Sequence, residues 1–172
     1  AVQATDTQSA SVTLANGNLQ VATAKTFTPT STLQASPTNP IQVNLRARAT
    51  GTLAPKILVI EDSAPTFWNA FTLTGFAIPN VPTGADRVTI DAQTGQGASA
   101  TWTSGTATTI ATASLPSGVA AADVTGLRFT FTKADGTRFT ASNNADNVRL
   151  SVSLRSQLRD GHGPVASTAV ST

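Results

Sequence analysis

The sequence predicts an all-β protein: an immunoglobulin-like β-sandwich of about 8–10 strands with one or two short helical turns. Three observations carry this expectation. Apolar residues alternate with polar ones in segment after segment. Gly, Pro and Asn turn signals recur roughly every ten residues. The residues rich in Thr, Val, Ile and Phe are those that favour a pleated, half-buried backbone. With 172 residues, 40% of them hydrophobic, the chain can bury one sizeable core but hardly two.

Element by element, Ser11 to Leu14 alternates Val12 and Leu14, and Asn16-Gly17-Asn18 then offers a tight turn. A long strand follows with Leu19, Val21, Thr23, Lys25 and Phe27 on one face. Prolines 29, 37 and 40 exclude helix before Ile41, Val43 and Leu45 alternate again, one face to water. The continuous run Ile57-Leu58-Val59-Ile60 predicts a strand in the middle of a sheet, covered on both faces. Ser63 as N-cap, Pro65 in the first turn and the cluster Phe67, Trp68 and Phe71 predict a short helix that plugs one end. Phe71 to Phe76, Arg87 to Ala92, the segment around Trp102 and Leu127 to Phe131 read as further strands. Val119 to Val124 suits a single helical turn that Gly126 ends, and Ala134-Asp135-Gly136 predicts a hairpin into Thr137 to Ala141. Val148, Leu150, Val152 and Leu154 make a last clear strand before Gly161-His162-Gly163-Pro164.

Charged residues are only 12% of the chain, about half the usual share, so hydroxyls and amides must build much of the surface. Eleven basic against nine acidic residues leave a formal charge of +2, too even for a nucleic-acid footprint. Arg46, Arg48, Arg149, Arg155 and Arg159 have no interleaved aromatic ladder and read as polar-face solubility. No stretch of about eighteen apolar residues exists to cross a membrane as a helix. Cysteine and methionine are both absent, so no disulfide framework is available, and the composition is that of secreted and surface repeats. The chain opens at Ala1 without an initiator Met or a signal sequence, as expected of a mature chain or an excised piece.

Chemistry-bearing constellations are sparse. His162, the single histidine, lies in the Gly161-His162-Gly163-Pro164 loop and is too isolated to mark a catalytic set, and one His without Cys cannot make a zinc set. Glu61 and Asp62 are adjacent carboxylates, but neighbours in a strand point to opposite faces and cannot flank one bond. Asp135, and Asp146 among Asn143, Asn144 and Asn147, could serve calcium, yet ordinary Asn/Asp/Gly turn chemistry accounts for them. No catalytic site, metal or cofactor is expected. Trp68 and Trp102 are candidate core residues.

Lys25-Thr26-Phe27-Thr28-Pro29, Val59-Ile60-Glu61-Asp62, Leu115-Pro116-Ser117-Gly118-Val119 and Gly126-Leu127-Arg128-Phe129 together resemble immunoglobulin-like repeat domains of giant Gram-positive, especially actinobacterial, cell-surface and adhesin proteins. The resemblance covers most of the chain through short motifs. It implies that residues 1–18 carry a strand belonging to, or packing on, a preceding unit, and that residues 19–172 form the repeat. Val12 and Leu14, with Val165 and Val170 in the unfinished closing strand, are then junction residues. Equally, Ala4 to Leu14 is the first strand of a self-contained sandwich. The implied function is a structural, non-catalytic module of an extracellular stalk or filament whose partners are neighbouring copies. The alternative is a ligand-binding adhesin domain in which Trp68 stacks on a glycan. Such proteins also carry Lys–Asn isopeptide cross-links, for which Lys25 would supply the amine and Glu61 or Asp62 the acid. The competing role for Lys25 is an edge lysine whose stem packs while its ammonium reaches water.

Overall fold

The computed structural model describes residues 17–28 and 41–162. Val12, Leu14, Val165 and Val170 lie outside them. The described strands are β1 (Val21–Thr28), β2 (Ile41–Ala49), β3 (Leu58–Asp62), β4 (Phe71–Ala77), β5 (Arg87–Thr94), β6 (Thr101–Thr103), β7 (Thr108–Thr109), β8 (Val124–Thr132) and β9 (Val148–Leu154), with one short helix α1 (Pro65–Ala70). They form two antiparallel sheets, one ordered β1-β2-β9-β4 and the other β3-β8-β5-β6, with β7 also paired to β5. The molecule is an all-β sandwich, as the alternation predicts.

The core lies between the sheets and follows that alternation. Val43 and Leu45 of β2, Leu58 and Ile60 of β3, Val88 and Ile90 of β5, Phe129 and Phe131 of β8, and Leu150 and Val152 of β9 all turn inward and are buried. Helix α1 begins with Pro65 at its first position, where a missing N–H costs nothing. It presses Phe67 and Trp68 against the end of the core, with Phe67 stacked on Phe71 at 4.7 Å and edge-on to Trp68 at 5.2 Å. Gly126 sits where strand β8 passes close to two neighbours; a Cβ there would stand 2.9 Å from the Ser63 side chain and 3.1 Å from that of Gln93.

Three local expectations are corrected. The run Ile57 to Ile60 is not a central strand covered on both faces: β3 is the outermost strand of its sheet and pairs only with β8 among the described residues, and its outward-facing Val59, with Ile57 just before it, is exposed. An apolar run reports a preference for extended backbone, whereas the number of neighbours is decided by the sheet. The predicted strand Ser11 to Leu14 and the start of its turn at Asn16 lie outside the described residues; within them, the Asn18 and Gln20 carbonyls accept bonds from Leu53 and Thr50, so residues 18–20 prolong the β1 ladder. Thr137 to Ala141 is not a strand; after the Asp135-Gly136 turn it crosses between elements, with Phe139 bonded to Pro55 and Ala141 to Thr83 and Ala49. Ser63 does not cap α1, whose N-cap is Ala64; its hydroxyl donates to Glu61 at 2.8 Å instead.

Candidate functional site

Strand β1 carries Lys25 opposite Leu45 of β2, on the face that turns inward. Strand β3 carries Asp62 on its inward face and Glu61 outward, as strand geometry demands. The result is an ion pair across the open side of the sandwich. Lys25 Nζ lies 2.7 Å from Asp62 Oδ2, with 26% of the lysine side chain exposed and 4% of the aspartate. No other polar partner meets that buried oxygen among the described residues, while Oδ1 accepts a long 3.4 Å bond from the Ala64 N–H. The ammonium also stands 4.7 Å from the centre of the Phe67 ring and 5.6 Å from that of Phe27, so its other side is covered by aromatic faces. Beside this pair runs a groove of about 490 Å³, with Thr23, Leu45, Ala47, Val59 and Ile60 and the charged Arg46 and Glu61 among its walls.

Of the proposed cross-linking set, the structure therefore brings Lys25 to Asp62 and not to Glu61. Glu61 accepts from Arg128 at 2.8 Å and from Ser63 at 2.8 Å on the outer face. The two buried asparagines are engaged elsewhere: Asn44 with Thr28 and Arg149, Asn147 with Ala47 and Asn80. Partial burial raises the Glu61 carboxyl, but the hydrogen bonds from Arg128 and Ser63 outweigh it and hold the group below its ordinary value. The Glu61 hydrogen bond in turn raises the Arg128 guanidinium.

Trp68 is wholly buried and offers no face to a ligand, which corrects its candidacy as a stacking platform. Its indole N–H donates to the Asp62 carbonyl at 3.1 Å, tying the helical plug to the end of β3. Trp102 instead stands half-buried outside the core, with the Arg128 guanidinium 4.3 Å from its ring centre. Glu61, Arg128, Asp91 and Trp102 thus form a cross-strand row on the outer face of the second sheet, Arg128 also reaching Asp91 at 3.5 Å.

The residue that sequence reasoning missed is Arg159. Its guanidinium donates to four backbone carbonyls, those of Trp68 at 2.7 Å, Ala122 at 3.0 Å, and Phe71 and Val124 at 3.1 Å. It sews the chain after β9 to the plug and to the start of β8. Burial lowers its pKa from the ordinary arginine value, reinforced by the charge on nearby Arg155. Arg155 bonds Thr72 at 3.1 Å, so neither arginine is simple surface charge. The one hint in the sequence is an arginine just beyond a strongly alternating strand in a chain with few charges. A cleft of about 810 Å³ opens beside this knot, with Thr94, Gln96 and Asp123 among its walls.

The remaining candidates are turn residues. His162 is exposed, and its backbone N–H donates to Asp160 at 2.9 Å; this bond leads the effects that lower the Asp160 pKa. Asp135 accepts from the hydroxyl and N–H of Thr137, which depress its pKa in that order. Asn143 bonds Thr83 and Val81, and the Asp146 carbonyl takes a bond from Asn80. No cluster of three or more metal-ligating side chains occurs among the described residues, and no helix there is long and apolar enough to cross a membrane. No family model, curated protein or solved structure matches the chain.

Proposed function

We propose that this protein is a structural, non-catalytic module of an extracellular stalk or filament, joined to neighbouring copies through strands at its ends. One observation carries the reading. All five exposed large apolar side chains among the described residues, Leu19, Val21, Leu53, Ile57 and Val59, belong to β1, β3 and the segments next to them. Scattered apolar residues are unremarkable, but a set confined to two neighbouring sheet edges marks a contact surface. Four charged groups of the described domain support the same reading, since Asp62, Glu61 and Asp91 are engaged in ion pairs and Arg159 in hydrogen bonds to backbone carbonyls. Sedimentation velocity and negative-stain microscopy of the full chain test it: end-to-end oligomers that grow with concentration are expected, and a monomer throughout the micromolar to millimolar range would overturn it. The extracellular placement is checked by labelling intact source cells with an impermeant amine reagent; a protein left unlabelled would count against it.

The adhesin reading keeps one supporting observation, Trp102 half-exposed on a polar sheet face. Its ring is already covered on one side by Arg128, which leaves one face for a sugar. A glycan panel read by Trp102 fluorescence distinguishes this second function from the first.

A further inference from the structure

The exposed corner has the shape of a vacant strand position. In the first sheet, β1 lies outside β2; in the second, β3 packs over β2 and is itself the edge. Strand β1 has no comparable partner across the sandwich among the described residues. The inward-facing row Leu19, Val21, Thr23 and Lys25 is therefore covered only at its Lys25 end, where Asp62 reaches across. Val21 and Leu19 remain 48% and 49% exposed although they occupy core-facing positions of the strand. One more strand hydrogen-bonded to the free edge of β3 would lie over Leu19, Val21 and Thr23 and fill the groove beside Leu45 and Ala47.

We infer that this position accepts the segment Ala10–Leu14 of a second copy of the chain. The inference rests on the proposed module-to-module assembly and names its joint. Ala10, Val12 and Leu14 alternate with Ser11 and Thr13, so one face of such a strand carries three apolar side chains, matching the three open inward positions at 19, 21 and 23. The segment Val165 to Val170 matches less well, because its apolar residues fall on both faces. The Lys25–Asp62 pair closes the far end of the seat and limits the insert to about five residues, or about 17 Å of strand. Filling the seat from the same chain would demand a reversal and a crossing between sheets about 10 Å apart. Only Ala15, Asn16 and Gly17 would be free for both, because Asn18 is held by Thr52 and Leu53. The four steps from Leu14 to Asn18 span at most about 14 Å, which leaves only about 4 Å beyond the crossing for the reversal.

The cysteine-free chain gives a direct test. Thr13→Cys and Val59→Cys variants, both on the outer face of the proposed pairing, are mixed in equal amounts and oxidised. Mixed disulfide dimers several-fold above those formed by Val59→Cys with a Thr74→Cys control on β4 are expected, and a Ser11→Cys partner would report the same strand shifted by two residues. The Thr13→Cys/Val59→Cys double variant should give a ladder of covalent oligomers; a covalently closed monomer would place the strand in its own chain and overturn the inference. Val21→Asp, which charges an already exposed position, should reduce association at least ten-fold while leaving the unfolding midpoint unchanged. Assembly that persists without cross-linking and tolerates Val21→Asp would refute this joint and leave the module reading standing. A chain that never associates would refute both.

Discussion

Replacing Lys25 by Met is the most informative single perturbation of this domain, because it removes a charge while leaving a side chain of similar length over Phe67. At 2.7 Å, with the effective dielectric of about 20 suited to groups near a protein surface, the Coulomb attraction between Lys25 and Asp62 is about 6 kcal/mol before desolvation. Most of that gain offsets the cost of holding the Asp62 carboxylate out of water. Removing the lysine keeps the cost and discards the gain. Breaking a fully buried pair costs about 3–5 kcal/mol; with about a quarter of the lysine still wet, about 2–3 kcal/mol is expected. The Lys25→Met/Asp62→Leu double variant removes the charge from both sides and should return to within about 1 kcal/mol of the parent. Urea unfolding followed by tryptophan emission measures all three proteins, with the midpoint compared at constant slope. A Lys25→Met protein within about 0.5 kcal/mol of the parent, or a double variant as unstable as the single, would refute the reasoning. Intact mass of the parent is the control that the contact is ionic: an amide between the two groups would have released one water.

Glu61 gives a pH dependence of known sign. Its folded-state pKa is held below the unfolded value, so the stabilisation is present above about pH 4.3 and is lost as pH falls through the folded value. Both partners are about one-third exposed, which limits the effect to about 0.5 kcal/mol; comparing urea midpoints of the parent and Glu61→Gln at pH 5 and pH 3 should show the parent losing more, and parallel losses would contradict it. Arg159→Ala should cost about 3 kcal/mol by thermal unfolding, since it orphans carbonyls at the joint between plug and sandwich. Arg159→Lys should recover less than half of that, because an ammonium cannot reproduce the fork; full recovery would show that charge alone matters. Acrylamide should quench Trp102 and spare Trp68, so Trp102→Phe should leave a blue-shifted, poorly quenched emission at a stability cost under about 0.5 kcal/mol.

The site was less legible than the fold. The meeting of Lys25 with Asp62 was half-readable: alternation placed the lysine on the inward face of its strand, and the parity of β3 separated Asp62 from Glu61. That they face one another across two sheets is a matter of sheet order, which no local pattern encodes. Trp68 and Trp102 show the same limit in reverse. Both are large aromatics that read as core residues, yet one is a plug at the end of the core and the other stands outside it against an arginine. Arg159 was invisible as a structural residue because its partners are backbone carbonyls, and carbonyls carry no sequence signature.

By itself the sequence determined the all-β class, the parity of each strand and most turn positions, because these depend on periods and residue preferences within a few neighbours. Only the tertiary structure decided which strands lie at the edges. The run Ile57 to Ile60 had every local mark of a central strand and became a border, since edge or centre is set by how many strands are laid down beside it. That decision leaves the core-facing Val21 exposed beside the outer edge of β3, and it is from this border that the proposed joint follows.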